Sequence, residues 1–201
     1  GCQVTLYEMR PKVMTPAHET DQLAELVCSN SLKAKDPNSA PGCLKFEMQG
    51  FHSLIIEAGY AAEVPAGGAL AVERIKFSSY ITDALTKHPN FTLCHEEITS
   101  LPTPEELEKS GDCYIIATGP LTSSPMAKAL QEYTDEKGKL YFYDAIAPTI
   151  SGDSIDFNEC FMGNRWEENP DDGDYVNIPL DKEQYLEFIK DVTEAEKTPL
   201  H

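Results

Sequence analysis

Short apolar runs with the two-residue period of strands recur along this chain, with stretches of helical period between them. That alternation confines it to the α/β class, with a mostly parallel sheet as the expectation. The first run, Val4-Thr5-Leu6-Tyr7, ends on Glu8. Thr20 stands where it would cap a helix whose apolar positions Leu23, Leu26 and Val27 run on into Cys28-Ser29-Asn30-Ser31. Pro41 suits the first turn of another helix, with Leu44, Met48, Leu54, Ile55 and Ala58 as its expected buried stripe and Gly50 as an interruption. The segment Val64 to Val72 is too rich in glycine for a helix and ends in a strand-like run. Phe77, Tyr80, Ile81 and Leu85 mark an amphipathic helix closed by His88-Pro89-Asn90, and Phe91 to Ile98 then reads as a strand. Pro102 to Lys109 reads as a short acidic helix, Cys113 to Ala117 as a fully buried strand, Ser124-Pro125 as a helix start, and Leu140 to Tyr143 as a strand. Residues 151–174 are the least regular. Asp181 and Gln184 form a capping pair for a last helix with Tyr185, Phe188, Ile189 and Val192 on one face.

With 201 residues, 41% of them hydrophobic, the chain is long enough to bury a sizeable core. Sixteen basic and 34 acidic side chains leave a formal charge of −18, which argues against a surface that coats nucleic acid indiscriminately. The charge is unevenly spread. Residues 1–100 carry 8 basic and 12 acidic groups (−4), residues 101–201 carry 8 and 22 (−14). No stretch approaches the roughly 18–20 apolar residues of a membrane-spanning helix, and the first residues lack the basic and apolar regions of a signal peptide. The six cysteines are far apart and show no zinc-ligand spacing, so no metal is expected and the thiols read as those of a cytoplasmic protein.

In a doubly wound fold, an acidic residue at the end of the second strand binds the ribose of a dinucleotide, about 20 residues after a G-x-G-x-x-G turn. Glu8 has that position, although a strand-end carboxylate on the surface is the plainer alternative. Plain alternatives also stand for the other marked residues: a loop bend at Gly67-Gly68, a strand-end turn at Gly119, a buried structural thiol at Cys28, and solvated lysines at Lys33, Lys35 and Lys45.

Five segments taken together are more specific. They are Leu6-Tyr7-Glu8-Met9-Arg10-Pro11, Ala24 to Leu32 around Cys28, Val64 to Val72, Ala117-Thr118-Gly119-Pro120-Leu121-Thr122-Ser123, and Leu140-Tyr141-Phe142-Tyr143-Asp144-Ala145. In this order they closely resemble the TrmFO (Gid) family of bacterial folate- and FAD-dependent tRNA (uracil-5-)-methyltransferases, over nearly the whole chain. Glucose-inhibited division protein A, a larger FAD-dependent tRNA-modifying enzyme, is expected to be a more distant relation.

The resemblance implies a Rossmann-like FAD-binding domain with an inserted or second α/β substrate region. Residues 1–35 would be a partial FAD-binding segment with the catalytic cysteine loop, and 36–90 a helical and glycine-rich segment near flavin and folate. Residues 91–124 would return to the FAD-binding domain, and 125–201 would belong to the second domain. It implies transfer of a one-carbon unit from 5,10-methylenetetrahydrofolate to C5 of the T-loop uridine of tRNA, with FAD as cofactor and NAD(P)H as the source of electrons. Carried over by residue, Cys28 is one of the family's two catalytic cysteines, and which of the two attacks and which assists is left open by the sequence. Glu8 and Arg10 lie at the adenosine end of FAD. Gly67, Gly68 and Arg74 lie near flavin or folate, and Thr118 and Gly119 end a parallel strand beside the dinucleotide. Ser29, Asn30, Ser31, Lys33 and Lys35, with Lys45, are expected near the RNA.

The family pattern also has a G-x-G-x-x-G turn ahead of the position of Gly1 and a second cysteine, in a Glu-Gly-Cys segment, beyond that of His201. The chain is therefore expected to be an internal fragment that binds FAD poorly and is inactive alone. Asn177-Ile178-Pro179 stands where members often have Asn-Cys-Pro, so that position is not expected to be catalytic. Two other functions remain open at this point: the same chemistry on a ribosomal RNA uridine, and an FAD-binding module without methyl transfer.

Overall fold

A computed structural model describes residues 1–134, 150–164 and 173–196. The expected strand at 140–143 lies outside them. The described residues fall into two compact units, one within 1–64 and 68–148, the other within 65–67 and 149–201.

The first unit is α/β, as the alternation implied. Strand β1 (Val4–Glu8) leads through β2 (Ser31–Ala34), helix α1 (Ala40–Gly50), helix α2 (Leu54–Ala61), β3 (Glu63–Val64), β4 (Ala69–Val72) and helix α3 (Arg74–Thr86) into β5 (Phe91–His95). β1 and β5 pair in parallel, with Leu6 opposite Leu93 and Glu8 opposite His95. Parallel strands need a long crossover, and here it contains three helices and a second sheet. That sheet is antiparallel, in the order β2-β4-β3. Among the described residues the parallel pairing is therefore confined to β1 and β5, where the sequence suggested a mostly parallel sheet. The core lies between the sheets and helices: Leu23, Ala58, Ala62, Val72, Phe77 and Ile81 are buried, with Leu6, Leu26, Leu32, Leu54 and Leu93 packed against them.

Local chemistry explains most of the helix ends. Ser39 caps α1 through a bond from the Gly42 amide, and Pro41 occupies the first turn. Gly50 does end this helix, and α2 starts afresh at Leu54. The expected stripe is only partly buried, because Leu44 and Ile55 face solvent. α1 buries Gly42 and Lys45 instead. A β-carbon on Gly42 would stand 1.8 Å from the Asp36 carbonyl oxygen, so glycine is what lets this helix lie directly against the backbone of residues 35–36. α4 (Pro104–Ser110) starts in a Thr103/Glu106 capping box, and α5 (Ser124–Tyr133) is capped by Ser123.

Two expected elements are absent. Residues 20–28 do not form a helix: Ala24 has a φ of 56°, outside the right-handed helical region, and the carbonyls of Thr20 and Gln22 bond to Arg10 rather than to amides further along. The stretch 113–117 is not a buried strand either. It is irregular and exposed, Ile115 to 85%, and it joins no sheet. An apolar run supplies the side chains of a central strand but not the neighbouring ladder that would satisfy its backbone. The strand beginning at Phe91 ends at His95, short of Ile98.

α5 clusters with the first unit, although the sequence placed a boundary at 125. Its residues Pro125, Lys128, Ala129 and Tyr133 face Thr99, Ser100 and Leu101 across a shallow groove, and Met126 is buried.

In the second unit, β6 (Phe161–Gly163) and β7 (Tyr175–Asn177) pair antiparallel. The last helix, α6 (Lys182–Glu194), starts in the expected Asp181/Gln184 capping box. Its apolar residues Tyr185, Phe188, Ile189 and Val192 are exposed.

Replacing Phe77, which is 2% exposed at the centre of the core, by alanine is expected to cost about 3–5 kcal/mol. Gly42→Ala is expected to cost about 1–3 kcal/mol through the forced shift of residues 35–36, whereas Gly50→Ala, with open space around it, should not destabilise. Urea denaturation of the three variants checks the order.

Candidate functional site

The site is organised by Arg10, two residues beyond the end of β1 and only 4% exposed. A buried guanidinium is tolerable only if it is paired and its donors are satisfied. Here all five N–H donors are used. Nε and one Nη bond the two oxygens of Glu8, each at 3.0 Å. The other bonds reach the Thr20 and Gln22 carbonyls, at 3.0 Å each, and Glu25 Oε2 at 2.6 Å. Glu25 in turn accepts from the Glu19 amide, the Thr20 amide and the Thr20 hydroxyl. The chain from Glu19 to Glu25 is thus wound around one cation, which is why a capped helix does not form there.

Burial pushes the carboxyls of Glu8 and Glu25 up, but the opposing interactions win. Hydrogen bonds and charge from Arg10, with a smaller contribution from His18, hold Glu8 below the ordinary glutamate range. Bonds from Glu19 and Thr20, with the Arg10 charge, do the same for Glu25.

Beyond this cluster the chain is fastened to α3. The Leu23 amide donates to the Thr82 hydroxyl at 2.9 Å, Gln22 Nε2 to the Ser79 hydroxyl at 3.0 Å, and the Ser78 hydroxyl reaches the Ala24 carbonyl at 3.4 Å. Asn30 fixes the other side: its side-chain amide donates to the Val72 carbonyl at 3.0 Å, and its own carbonyl accepts from the Val72 amide at 2.9 Å. Cys28 lies between these two attachments, exposed and outside any disulfide. Ser29 is exposed beside it and its hydroxyl accepts from the Ser31 amide.

A cleft of about 500 Å³ opens beside this loop, lined by Glu19, Thr20, Gln22, Glu25, Asn30, Glu73, Arg74 and Ser78 among others. It brings together Asn30 and Arg74, which lie far apart in sequence. Arg74 is exposed at the first turn of α3. Glu73 caps that helix, and the amides of Ile75 and Lys76 hold its carboxyl below the ordinary range.

The other marked residues lie elsewhere. Gly67, with a φ of 54°, belongs to the second unit, where its amide donates to the Asp174 carboxylate and the Tyr175 hydroxyl bonds the adjacent Ala66 carbonyl. Gly68 belongs to the first unit and its carbonyl accepts from the Lys35 amide. Thr118 and Gly119 are on exposed chain rather than at the end of a strand. They start a short turn in which the Thr122 hydroxyl bonds the Gly119 carbonyl at 2.8 Å. Lys33 is exposed, and Lys35 pairs with Glu63 at 2.5 Å. Lys45 is 5% exposed, with its ammonium on the Ala34 and Pro41 carbonyls, and burial pulls its pKa down. It is therefore withdrawn from any surface that could meet RNA phosphates. Arg10 likewise has no N–H left for a ligand.

The parts that sequence reasoning missed are the partners of Arg10. Glu25 lies 15 residues away and the two carbonyls are backbone atoms, so no spacing rule marks them.

The family model described as "Glucose inhibited division protein A" matches residues 1–201. The chain belongs to this family. Among curated proteins, the methylenetetrahydrofolate--tRNA-(uracil-5-)-methyltransferase TrmFO of Aquifex aeolicus is 48% identical over 197 residues, which are 98% of this chain and 42% of the relative. Those of Moorella thermoacetica and Exiguobacterium sibiricum are 47% and 46% identical, with 100% of this chain and 44% of each relative covered. The chain thus spans less than half the length of the curated relatives it matches. The relatives bear the TrmFO name to which the five segments point.

Removal of the central cation by Arg10→Met is expected to cost about 3–5 kcal/mol, because it leaves Glu8 and Glu25 half-buried and unpaired. Since both carboxyls have lowered folded-state values, their contribution is present above the ordinary glutamate pKa of 4.5 and is lost as pH falls through the folded values. Thermal midpoints should therefore drop more steeply below pH 4.5 in the parent than in Glu25→Gln.

Proposed function

We propose that this chain is the part of a folate- and FAD-dependent tRNA (uracil-5-)-methyltransferase that carries a reacting thiol, Cys28. What supports the reading is the setting of that thiol: exposed, on a four-residue span fastened at both ends, with the flanking residues Leu26 and Asn30 lining a cleft that Arg74 also lines.

Uracil C5 becomes nucleophilic when a nucleophile adds at C6, and a thiolate adds readily and leaves again. In the proposed step Cys28 Sγ bonds to C6, C5 forms its bond to the electrophilic one-carbon unit as a carbon–nitrogen bond of that unit to its carrier breaks and the pair stays on nitrogen, the C5 proton passes to a base, and the C5–H pair forms the C5=C6 double bond as the Sγ–C6 bond breaks to release the thiolate. Ser29, Asn30 and Ser31 hold the approach. Asn30 is committed to Val72, so the hydroxyl of Ser29 is the nearest exposed polar group in sequence for orienting the base. Arg74 offers a cation for the carboxylates of folate or for an anionic ring.

The residues at the end of β1 fit a dinucleotide ribose. A carboxylate has about four acceptor positions; Glu8 spends three on the Arg10 amide and guanidinium, and its side chain is 20% exposed. One position on Oε2 remains for a ribose hydroxyl, at the carboxyl end of parallel strands where ligands of such folds bind. Gly68, Thr118 and Gly119, in the same unit as Glu8, would give such a ligand close backbone approach. FAD, when bound, supplies the electron pair that completes the methyl group, with NAD(P)H as its source. The T-loop uridine of tRNA is the proposed target. Lys33, which is exposed, and Lys35, which would exchange its pairing with Glu63, are the lysines proposed for RNA phosphates, and a cytoplasmic location suits that substrate. Among the described residues no helix is long and apolar enough to cross a membrane.

In the full-length protein, Cys28→Ala is expected to abolish methylation of transcribed tRNA while the flavin absorbance is retained; undiminished methylation would overturn the reading. The same assay with ribosomal RNA separates the two RNA substrates, and flavin binding without methylation of either points to a cofactor-binding module. Lys33→Glu with Lys35→Glu should weaken tRNA binding and lower the salt dependence of log Kd by about 1–2, with flavin content unchanged.

A further inference from the structure

Cys28 is held by a particular construction. Upstream, residues 19–25 are closed around Arg10 by bonds from its guanidinium to Thr20, Gln22 and Glu25, and by three bonds into the Glu25 carboxylate. Downstream, Asn30 is locked to Val72 by two bonds. Only residues 26–29 lie between, and Leu26 packs on the core. A span this short between two fixed points leaves its members little freedom, so the groups that fix the ends help to set the place of the thiol.

We infer that Arg10 and Glu25 form a positioning pair that sets the approach of the Cys28 thiol to its substrate. This rests on the reading of Cys28 given above. Neither residue touches the reacting atoms. Arg10 spends all five donors inside the protein, two of them on the Thr20 and Gln22 carbonyls of the loop itself. Glu25 is the carboxylate that joins that loop to the cation. Arginine is required by this arrangement, because a lysine ammonium has three donors and no planar fork with which to hold two carboxylates and two carbonyls together. The pair also connects the two proposed ends of the site. Glu8, proposed for the ribose, and Glu25, three residues before the thiol, are bound to the same guanidinium. Occupation of one end is thereby linked to the geometry of the other.

The test uses the full-length, flavin-loaded protein with Glu25→Gln, which keeps the size of the side chain and removes its charge, and Thr20→Val, which deletes one donor to Glu25 without touching Arg10. Three quantities are read: flavin content, kcat and KM for tRNA methylation, and the rate at which iodoacetamide alkylates the Cys28 peptide, followed by mass spectrometry. The expected result is a fall in kcat of about 10–100-fold, as for a misplaced reacting group, with KM and flavin content held and a changed alkylation rate at Cys28. Parent values of kcat and alkylation in both variants would overturn the inference. So would flavin loss in proportion to activity, which assigns the pair to cofactor binding, or unfolding of both variants, which assigns it to the fold alone. If Cys28→Ala remains active, the catalytic reading fails by itself, and the alkylation rates still decide whether the pair positions this thiol.

Discussion

A single buried cation holds the described site together. Moving an arginine out of water is costly, and the cost is met only when every donor finds a partner. Arg10 meets that condition by drawing Glu8, Glu25 and two loop carbonyls around itself. The consequences extend well past the ion pairs. The loop from Glu19 to Glu25 takes its path from those bonds, its residues Gln22, Leu23 and Ala24 attach to the hydroxyls of α3, and the thiol of Cys28 follows within three residues. The end of β1, the face of α3 and the end of β4 therefore become one assembly around a group with no spare donor.

The same accounting explains where the marked residues can act. Lys45 has the sequence position of a cation near the thiol, as Lys33 and Lys35 do, but it is buried against two carbonyls and anchors α1. Glu8 keeps one acceptor position and some exposure, while Arg10 keeps neither. The strongly acidic composition does not bear on this part of the chain, since residues 1–100 carry a charge of only −4. Charge restricts which face of such a protein can meet RNA, and the first unit contains the less restrictive half.

Much of the fold was legible in the sequence because it depends on local signals. The capping boxes at Thr103 and Asp181, the proline at the start of α1, the break at Gly50 and the periodicity of α3 are all set by residues within a turn or two of one another. The errors arose where a distant partner decided the outcome. Residues 20–28 have helical spacing, but Arg10 takes the carbonyls that a helix needs. Residues 113–117 have the apolarity of a central strand, but no described strand pairs with them. The stripe on α1 was misjudged because Gly42 admits the backbone of residues 35–36, which turns Leu44 outward.

For the site, the motifs around Glu8, Cys28 and Gly67 are visible as segments, three of the five that carry the resemblance to the family. Residue type and spacing determined the α/β class, the helix boundaries and the candidate thiol, since these follow from contacts between near neighbours. Tertiary structure alone decided that Arg10 faces inward, that Glu25 is its partner across 15 residues, and that Asn30 is bound to a strand 42 residues away. Such choices are made by the need to satisfy buried polar groups, and that need is met by whatever the folded chain brings within hydrogen-bonding distance, irrespective of position in the sequence.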